Sequence, residues 1–562
     1  MTLRDDDAVA SPGQLSDAEI LAAAKAWRDQ DPDEESRAEL DALLVGANHG
    51  SVEALAQLRD RFSARLEFGT AGLRGALGAG PNRMNRLLVT QAAAGLAAFL
   101  LGREPHPSVV VGYDGRKNSR EFAIDTAEIM AGAGVNVILL PRLLPTPVLA
   151  FAVRFLDVSA GVMVTASHNP AADNGYKVYL GGPDGGSQIV PPSDGEIASR
   201  IDQVAAGNAL QLPRSADYQT AAEDVLDAYV AQTAGLAQAV VPVNFVYTAM
   251  HGVGWETASR VFTASGFAHP AVVTEQLQPD PNFPTVAFPN PEEPGALDLS
   301  FAKAVEVGAD LVIANDPDAD RLAVGIPTPT GWRRLSGNEV GNLLAWRTAG
   351  RATTGTLACS IVSSPALSVI AHVAGLEHVE TLTGFKWISR APNLVFGFEE
   401  ALGYLVDPDI IRDKDGISAA VDFLGLASEL KAAGKTIEDH LADFAETFGA
   451  YASSQISLRF SDLTEIPRVM NSLRAGLPQL VGGFAVGEVD DFEHGFGDFG
   501  PNDILRIRMT DGSRIVVRPS GTEPKLKVYI DASSTDGTAT ERMTRAQATV
   551  DRLDAGMREL LT

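Results

Sequence analysis

Short β-branched runs, each followed by a helical pattern, recur along most of this chain: SVVVGYD (108–114), VNVILL (135–140), GVMVTAS (161–167), ADLVIAND (309–316) and NLVFGFE (393–399). Strands this short and this continuously apolar are buried on both faces, as in a parallel sheet covered by helices. Several consecutive α/β domains are implied by that alternation. A chain of 562 residues is too long for a single core and divides, with boundaries expected near 215, 325 and 450. After about Ala450 the text changes to SSQISLRF, ILRIRMT and RIVVRP, closer to alternating strands. A terminal helix with Met543, Ala546, Val550, Leu553, Met557 and Leu560 on one stripe closes the chain. The last domain is therefore expected to be α+β, and the helix to pack on its own sheet rather than form a coiled coil.

Residues 1–65 carry acidic, Ala-rich helical patterns, and SDAE at Ser16–Glu19 has the form of a capping box. This arm is expected only to pack on the neighbouring α/β domain. The formal net charge of −27 repels phosphate backbones and anionic lipid, and no basic patch offsets it, so neither nucleic acid nor membrane is an expected partner. An anionic ligand would need arginines concentrated locally. Cys359 is the only cysteine, no signal peptide opens the sequence, and no apolar run approaches the roughly 18 residues that span a bilayer. A cytoplasmic protein is expected.

LVIANDPDADRLAVG places Asp316, Asp318 and Asp320 at alternate positions after an apolar strand, where a loop can turn all three toward one point. Three like charges that close want a cation, and oxygen ligands of this kind suit Mg²⁺. An EF-hand would need Gly and Glu where Arg321 and Pro327 stand. The competing reading is a polar loop of turn-forming aspartates.

GVMVTASHNP puts Ser167 at the carboxyl edge of a parallel sheet, where α/β folds keep ligands. The flanks Ala166 and His168 lack the glycines of an acyl-transfer elbow. In an extended strand His168 would point away from Ser167, so it is placed to reach another group, or is a structural histidine. Lys177 returns a cation after the DNGYK turn, although a lysine is usually solvated. A serine carrying phosphate would sit well against Mg²⁺ held by the aspartates and against an adjacent arginine, so the two motifs explain each other.

RIVVRPSGTEPKLKVYI gathers Arg518, Ser520, Gly521, Thr522 and Lys525 in a turn between strands, a density of anion donors beyond that of an ordinary hairpin. It is not a Walker A loop. FGTAGLRGALGAG, with Arg74 at its centre, does not run from strand to helix like a dinucleotide fingerprint. GFEEALGY ends another apolar strand and offers Glu399 and Glu400, carboxylates able to accept from sugar hydroxyls; a glycosidase pair is an open alternative, since the distance between them decides.

Taken in order, TASHNP, DPDADR, GFEEALG and RPSGTEPK closely resemble the four signature loops of the α-D-phosphohexomutase superfamily, across roughly Glu67 to Ile530. LEFGTAGLRG, RMN, LTGFK and RDKDGI resemble the branch of bacterial phosphoglucomutases and phosphopentomutase-like enzymes. The resemblance implies three similar α/β domains with mixed, mainly parallel sheets and a C-terminal α+β domain around a central cleft, here 1–215, 216–325, 326–450 and 451–562. It implies that Ser167 is the phosphoserine, with Asp316, Asp318 and Asp320 holding Mg²⁺ beside it and the serine's own phosphate as a further ligand. Arg74 and Arg321 resemble arginines near the transferring phosphoryl group, and His168, Lys177 and Lys386 resemble groups that assist proton transfer or bind substrate. Arg518, Ser520, Gly521 and Thr522 would grip the unreactive phosphate. Glu399 would read the sugar with Glu400 beside it, and Lys414 in RDKDG is a further candidate for the same cleft. Where the family commonly has serine two residues after the first glutamate, this chain has Ala401, which leaves the sugar open.

The implied activity is interconversion of hexose 1-phosphate and hexose 6-phosphate, glucose first, with mannose or pentose phosphates as alternatives. Sugar 1,6-bisphosphate would be both intermediate and catalytic activator. A net phosphatase, a bisphosphate synthase or a silent binding protein are the competing functions. The expected partners are sugar phosphates, and the expected state is a monomer or weak homodimer.

Overall fold

The strand Ser108–Tyr113 sets the pattern of the first domain. Val109, Val111 and Tyr113 face the core beneath the helices Arg86–Arg103 and Ser119–Gly132. On its other face Gly112 lies against Leu149 of the helix Thr146–Phe155, where a Cβ would come within 3.0 Å of that leucine. A strand buried on both sides cannot alternate apolar and polar residues, which is why its sequence reads as an unbroken apolar run.

The computed structural model describes residues 15–69, 72–460, 464–520 and 525–561. The chain forms two compact units, Met1–Val225 with Pro279–Pro289, and Leu226–Gln278 with Asn290–Thr562. In the first unit the sheet runs in the order Leu73–Ala76, Asp173–Leu180, Ala160–Val164, Ser108–Tyr113, Asn136–Leu139, Gln219–Thr220, with Ser187–Gln188 on the second strand. From Ala160–Val164 onward the pairs are parallel, and the first two strands are joined antiparallel. The acidic arm is helical from Asp17, where Ser16 and Glu19 form the expected capping box, and its Ile20, Ala24 and Trp27 join the same core.

The second unit holds three sheets. The first is ordered Gly331–Arg334, Leu322–Thr328, Leu311–Asn315, Phe245–Thr248, Ala271–Val272, and the second Glu377–Thr381, Thr356–Ser360, Leu394–Glu399, Gly403–Leu405. Both mix a parallel centre with an antiparallel edge. The third, from Ala450–Arg459 to Leu480–Val481, is antiparallel throughout. Ala546, Val550, Leu553 and Met557 of the helix Ala539–Leu561 lie in the core of that sheet, so the terminal helix packs on its own domain. Met543 and Leu560, at its two ends, are exposed. Burial of Val550, Leu553 and Met557 stabilises the domain by about 1.5–3 kcal/mol each.

Among the described residues no helix is long and apolar enough to cross a membrane.

Candidate active site

In the first unit the strand Ala160–Val164 stops three residues before Ser167, which takes a left-handed conformation with φ 52°. The Ser167 N–H donates to Thr165 Oγ1 at 2.8 Å. The turn also reverses the expectation for His168: its Nδ1 lies 3.3 Å from Ser167 Oγ. Side chains of adjacent residues point to opposite faces only in extended backbone, and here the strand has already ended.

Arg74 reaches the same loop, donating through Nη1 to Asn169 Oδ1 at 3.4 Å. Its strand pairs with Asp173–Leu180, and Gly72 makes the close approach possible: at φ 105° its missing Cβ would lie 1.8 Å from the Tyr176 carbonyl oxygen. Lys177 stands on that neighbouring strand opposite Met163 and is buried.

In the second unit Asp316, Asp318 and Asp320 follow the strand Leu311–Asn315 and are fully buried. One carboxylate oxygen from each lies within 4.8 Å of the others. The loop closes through Ala319 N–H to Asp316 O at 2.8 Å, with Ala319 left-handed at φ 57°. Gly416 packs against the loop's exit, where a Cβ would sit 2.1 Å from the Arg321 carbonyl oxygen.

The cations around the triad are graded by distance. Lys414 Nζ is 3.0 Å from Asp320 Oδ2. Arg321 Nε is 4.0 Å from both Asp316 and Asp320, and its Nη1 is 3.8 Å from Glu292. Burial works against the charge on Lys414, but Asp320, Asp413 and Glu399 outweigh it and hold the ammonium well above its usual range. Burial pushes Glu399 up to about 7, against the pull of Lys414 and Arg321.

Glu399 and Glu400 have separated tasks. Glu400 Oε2 accepts from Ser360 Oγ at 3.2 Å and Ser363 Oγ at 3.1 Å, so protein hydroxyls already hold it. Lys386 is buried in the short helix Phe385–Ile388, its Nζ 5.1 Å from the centre of the Trp387 ring. In the last sheet Arg518 faces Lys527 across the hairpin, which Ser520 N–H closes on Lys525 O at 2.8 Å. Gly521 and Thr522 lie outside the described residues.

Sequence reasoning missed Arg116, Glu292 and Lys527. Burial lowers the Lys527 ammonium, against Glu400, while Arg518 adds to the lowering, which sets it among the groups of the sugar and phosphate loops. Its signal was its place opposite Arg518 in a two-strand turn, visible once the hairpin register is known.

Chemically, three buried carboxylates beside an arginine and a lysine form a seat for a hard divalent cation. A strand-end serine with a histidine nitrogen at hydrogen-bonding distance can carry a transferable group. Models of the phosphoglucomutase/phosphomannomutase family match in order: alpha/beta/alpha domain I over 65–207, domain II over 226–329, domain III over 336–448, and the C-terminal domain over 462–548. The chain belongs to the phosphoglucomutase/phosphomannomutase family. It is 54% identical to a probable phosphomannomutase of Haemophilus influenzae, over 85% of this chain and 98% of that protein. It is 36% identical to the phosphopentomutase of Homo sapiens, over 86% of this chain and 87% of that one. A solved phosphoglucomutase/phosphomannomutase family protein from Burkholderia thailandensis has the same fold, with TM-score 0.69 and 21% identity over 89% of this chain and 97% of that chain. Membership makes the chain a phosphomutase, an enzyme that transfers a phosphoryl group within a sugar phosphate.

Proposed function

We propose that this phosphomutase interconverts α-D-glucose 1-phosphate and glucose 6-phosphate through phospho-Ser167 and glucose 1,6-bisphosphate. The observation that carries the reading is the convergence of three fully buried carboxylates within 4.8 Å. Buried like charges at that spacing repel strongly unless a cation joins them. The all-oxygen set suits Mg²⁺, held by Asp316, Asp318 and Asp320 with the phosphate on Ser167 as a further ligand. When bound, the ion neutralises phosphoryl oxygens as charge builds on them.

Ser167 holds the phosphoryl group at the strand end. Arg74 and Arg321 neutralise it from the protein side, and one of His168, Lys177 and Lys386 takes the proton of the attacking sugar hydroxyl and returns it to the leaving oxygen while the others bind substrate. The P–O bond to Ser167 breaks as the bond to sugar O6 forms, which gives the 1,6-bisphosphate. That intermediate turns over, and its 1-phosphoryl group passes back to Ser167 Oγ, leaving glucose 6-phosphate. Glu399 reads the sugar hydroxyls, with Glu400 and Lys414 in support, while Arg518, Ser520, Gly521 and Thr522 hold the unreactive phosphate. Added bisphosphate primes an unphosphorylated serine. In this reading the four domains divide at 215, 325 and 450, and the enzyme works in the cytoplasm as a monomer or weak dimer.

A second reading keeps the chemistry and changes the sugar, because the names of the relatives include a probable phosphomannomutase and a phosphopentomutase. Conversion of glucose, mannose and ribose 1-phosphates, each with catalytic glucose 1,6-bisphosphate, ranks the sugars. Ser167→Ala is expected to lower kcat at least about 10⁴-fold, as loss of a covalent nucleophile does. Full activity in that variant would end the phosphoserine assignment.

A further inference from the structure

The loop that carries Ser167 is gripped from below by one side chain that no substrate argument calls for. Arg116 is 4% exposed. Its Nη2 donates to Ser167 O at 2.5 Å and to Asn169 O at 2.7 Å. Its Nη1 donates to Pro170 O at 2.8 Å and to Asp173 O at 3.2 Å. One guanidinium thus holds four carbonyls of a single turn.

The arginine is itself fixed on two sides. Asp114 Oδ2 lies 3.4 Å from its Nε, and Asp114 Oδ1 accepts from the Arg116 N–H at 3.0 Å and from Ser119 Oγ at 2.6 Å. Asp114 N–H in turn donates to Val164 O at 3.1 Å, the last residue of the strand that leads to the serine. The ring of Phe283 covers the guanidinium, with its centre 5.0 Å from Cζ. Phe283 belongs to the Pro279–Pro289 segment, which packs with the first unit although the chain on either side of it belongs to the second.

A non-glycine residue held at φ 52° costs on the order of 1–3 kcal/mol and persists only where its surroundings over-determine it. Thr165 Oγ1 fixes the serine's N–H, and Arg116 fixes its carbonyl. Without the second contact the peptide is free to relax toward extended backbone, which redirects Oγ.

We propose that Arg116, oriented by Asp114 and covered by Phe283 of the Pro279–Pro289 strap, is a positioning residue for phosphoryl transfer: it locks Ser167 in the left-handed conformation that aims Oγ. The proposal rests on Ser167 being the phosphorylated residue. It makes the strap part of the nucleophile's support and assigns Arg116 no contact with substrate.

Four variants test it: Arg116→Met, Arg116→Lys, Asp114→Asn/Arg116→Met, which removes both buried charges, and Phe283→Leu. Each is assayed for kcat and KM with glucose 1-phosphate and bisphosphate, for thermal midpoint, and for phosphoserine content by intact mass. A displacement of about 1 Å at the reacting atom lowers rate by about 100-fold. We therefore expect kcat of both Met variants to fall about 100-fold or more with KM within about threefold, part recovery in Arg116→Lys, and a loss of a few-fold in Phe283→Leu. A folded Met variant with kcat within about threefold of wild type overturns the proposal. Should neither Met variant fold, Arg116→Lys decides: unchanged kcat overturns it, while reduced kcat at unchanged KM and thermal midpoint supports it. An active, unphosphorylated Ser167→Ala would instead strike the phosphoserine reading itself, which keeps the two failures apart.

Discussion

The loops that carry Ser167 and Asp316–Asp320 are built on one plan and charged in opposite senses. Each comes after a buried parallel strand, Ala160–Val164 or Leu311–Asn315, and each leads into an antiparallel return strand, Asp173–Leu180 or Leu322–Thr328. Each turns on one left-handed residue that is not glycine, Ser167 or Ala319. A third loop repeats the device at Leu402, between Leu394–Glu399 and Gly403–Leu405. Under the Ser167 loop a buried cation collects carbonyl dipoles, so the turn is stabilised by what holds it. In the acidic loop three buried carboxylates crowd together, and the stabilising partner has to come from outside the triad. Geometry is shared, whereas the electrostatic cost falls only on the second loop.

That contrast makes its sharpest statement in Asp318→Asn. Activity is expected to fall about 10³-fold or more, because a neutral amide weakens a hard-cation seat and the loss of charge stabilisation at the phosphoryl group is worth several kcal/mol. Stability with a chelator present should move the other way, rising by about 1 kcal/mol as one of three like charges disappears. Turnover in Mg²⁺ reads the first effect and urea unfolding in EDTA the second. A drop in stability in EDTA would show that the triad is not in repulsion and would remove the contrast.

Arg321→Met should come next in size. The guanidinium stands 4.0 Å from Asp316 and Asp320 and 3.8 Å from Glu292, so its removal strips the acidic loop of a fixed counter-charge. A loss of about 10²–10³-fold in kcat is expected, with destabilisation greater in EDTA than in Mg²⁺. Equal destabilisation in both would mean that Arg321 serves packing more than charge.

Much of this arrangement was legible in the sequence. Continuous apolar runs mark strands buried on both faces, so the ends of GVMVTAS, ADLVIAND and NLVFGFE located Ser167, the three aspartates and Glu399 at the carboxyl edges of sheets. Alternating spacing suggested that the aspartates converge, as they do. What lay hidden depended on backbone reversal and on partners distant in the chain. His168 points away from Ser167 only if the backbone stays extended through the pair, but the strand ends at Val164 and Ser167 turns left-handed. Arg116 sits in an ordinary DGR turn, and its acceptors come from Ser167 to Asp173, beyond the reach of any local pattern. Glu399 and Glu400 are neighbours of one type in the sequence, and their different surroundings, Ser360 and Ser363 at Glu400 and Lys414 and Arg321 near Glu399, come from distant parts of the chain.

The smallest effect is the pH dependence that Glu399 gives to stability. The folded protein holds Glu399 up at about 7 through burial, against an ordinary value of 4.5. A raised carboxylate pKa means that the native state binds more protons than the unfolded chain between these values. Stability contributed by Glu399 is therefore greatest below about 4.5 and is lost as pH rises through about 7. Glu399→Gln should remove that slope, flattening the unfolding free energy across the window by about 3 kcal/mol, with chelator present so that metal binding does not enter. Glu400→Gln should act instead by disturbing the loop through its two serine contacts. If the slope survived Glu399→Gln, the raised carboxylate would lie elsewhere in the fold, and the contrast between the two glutamates would go with it.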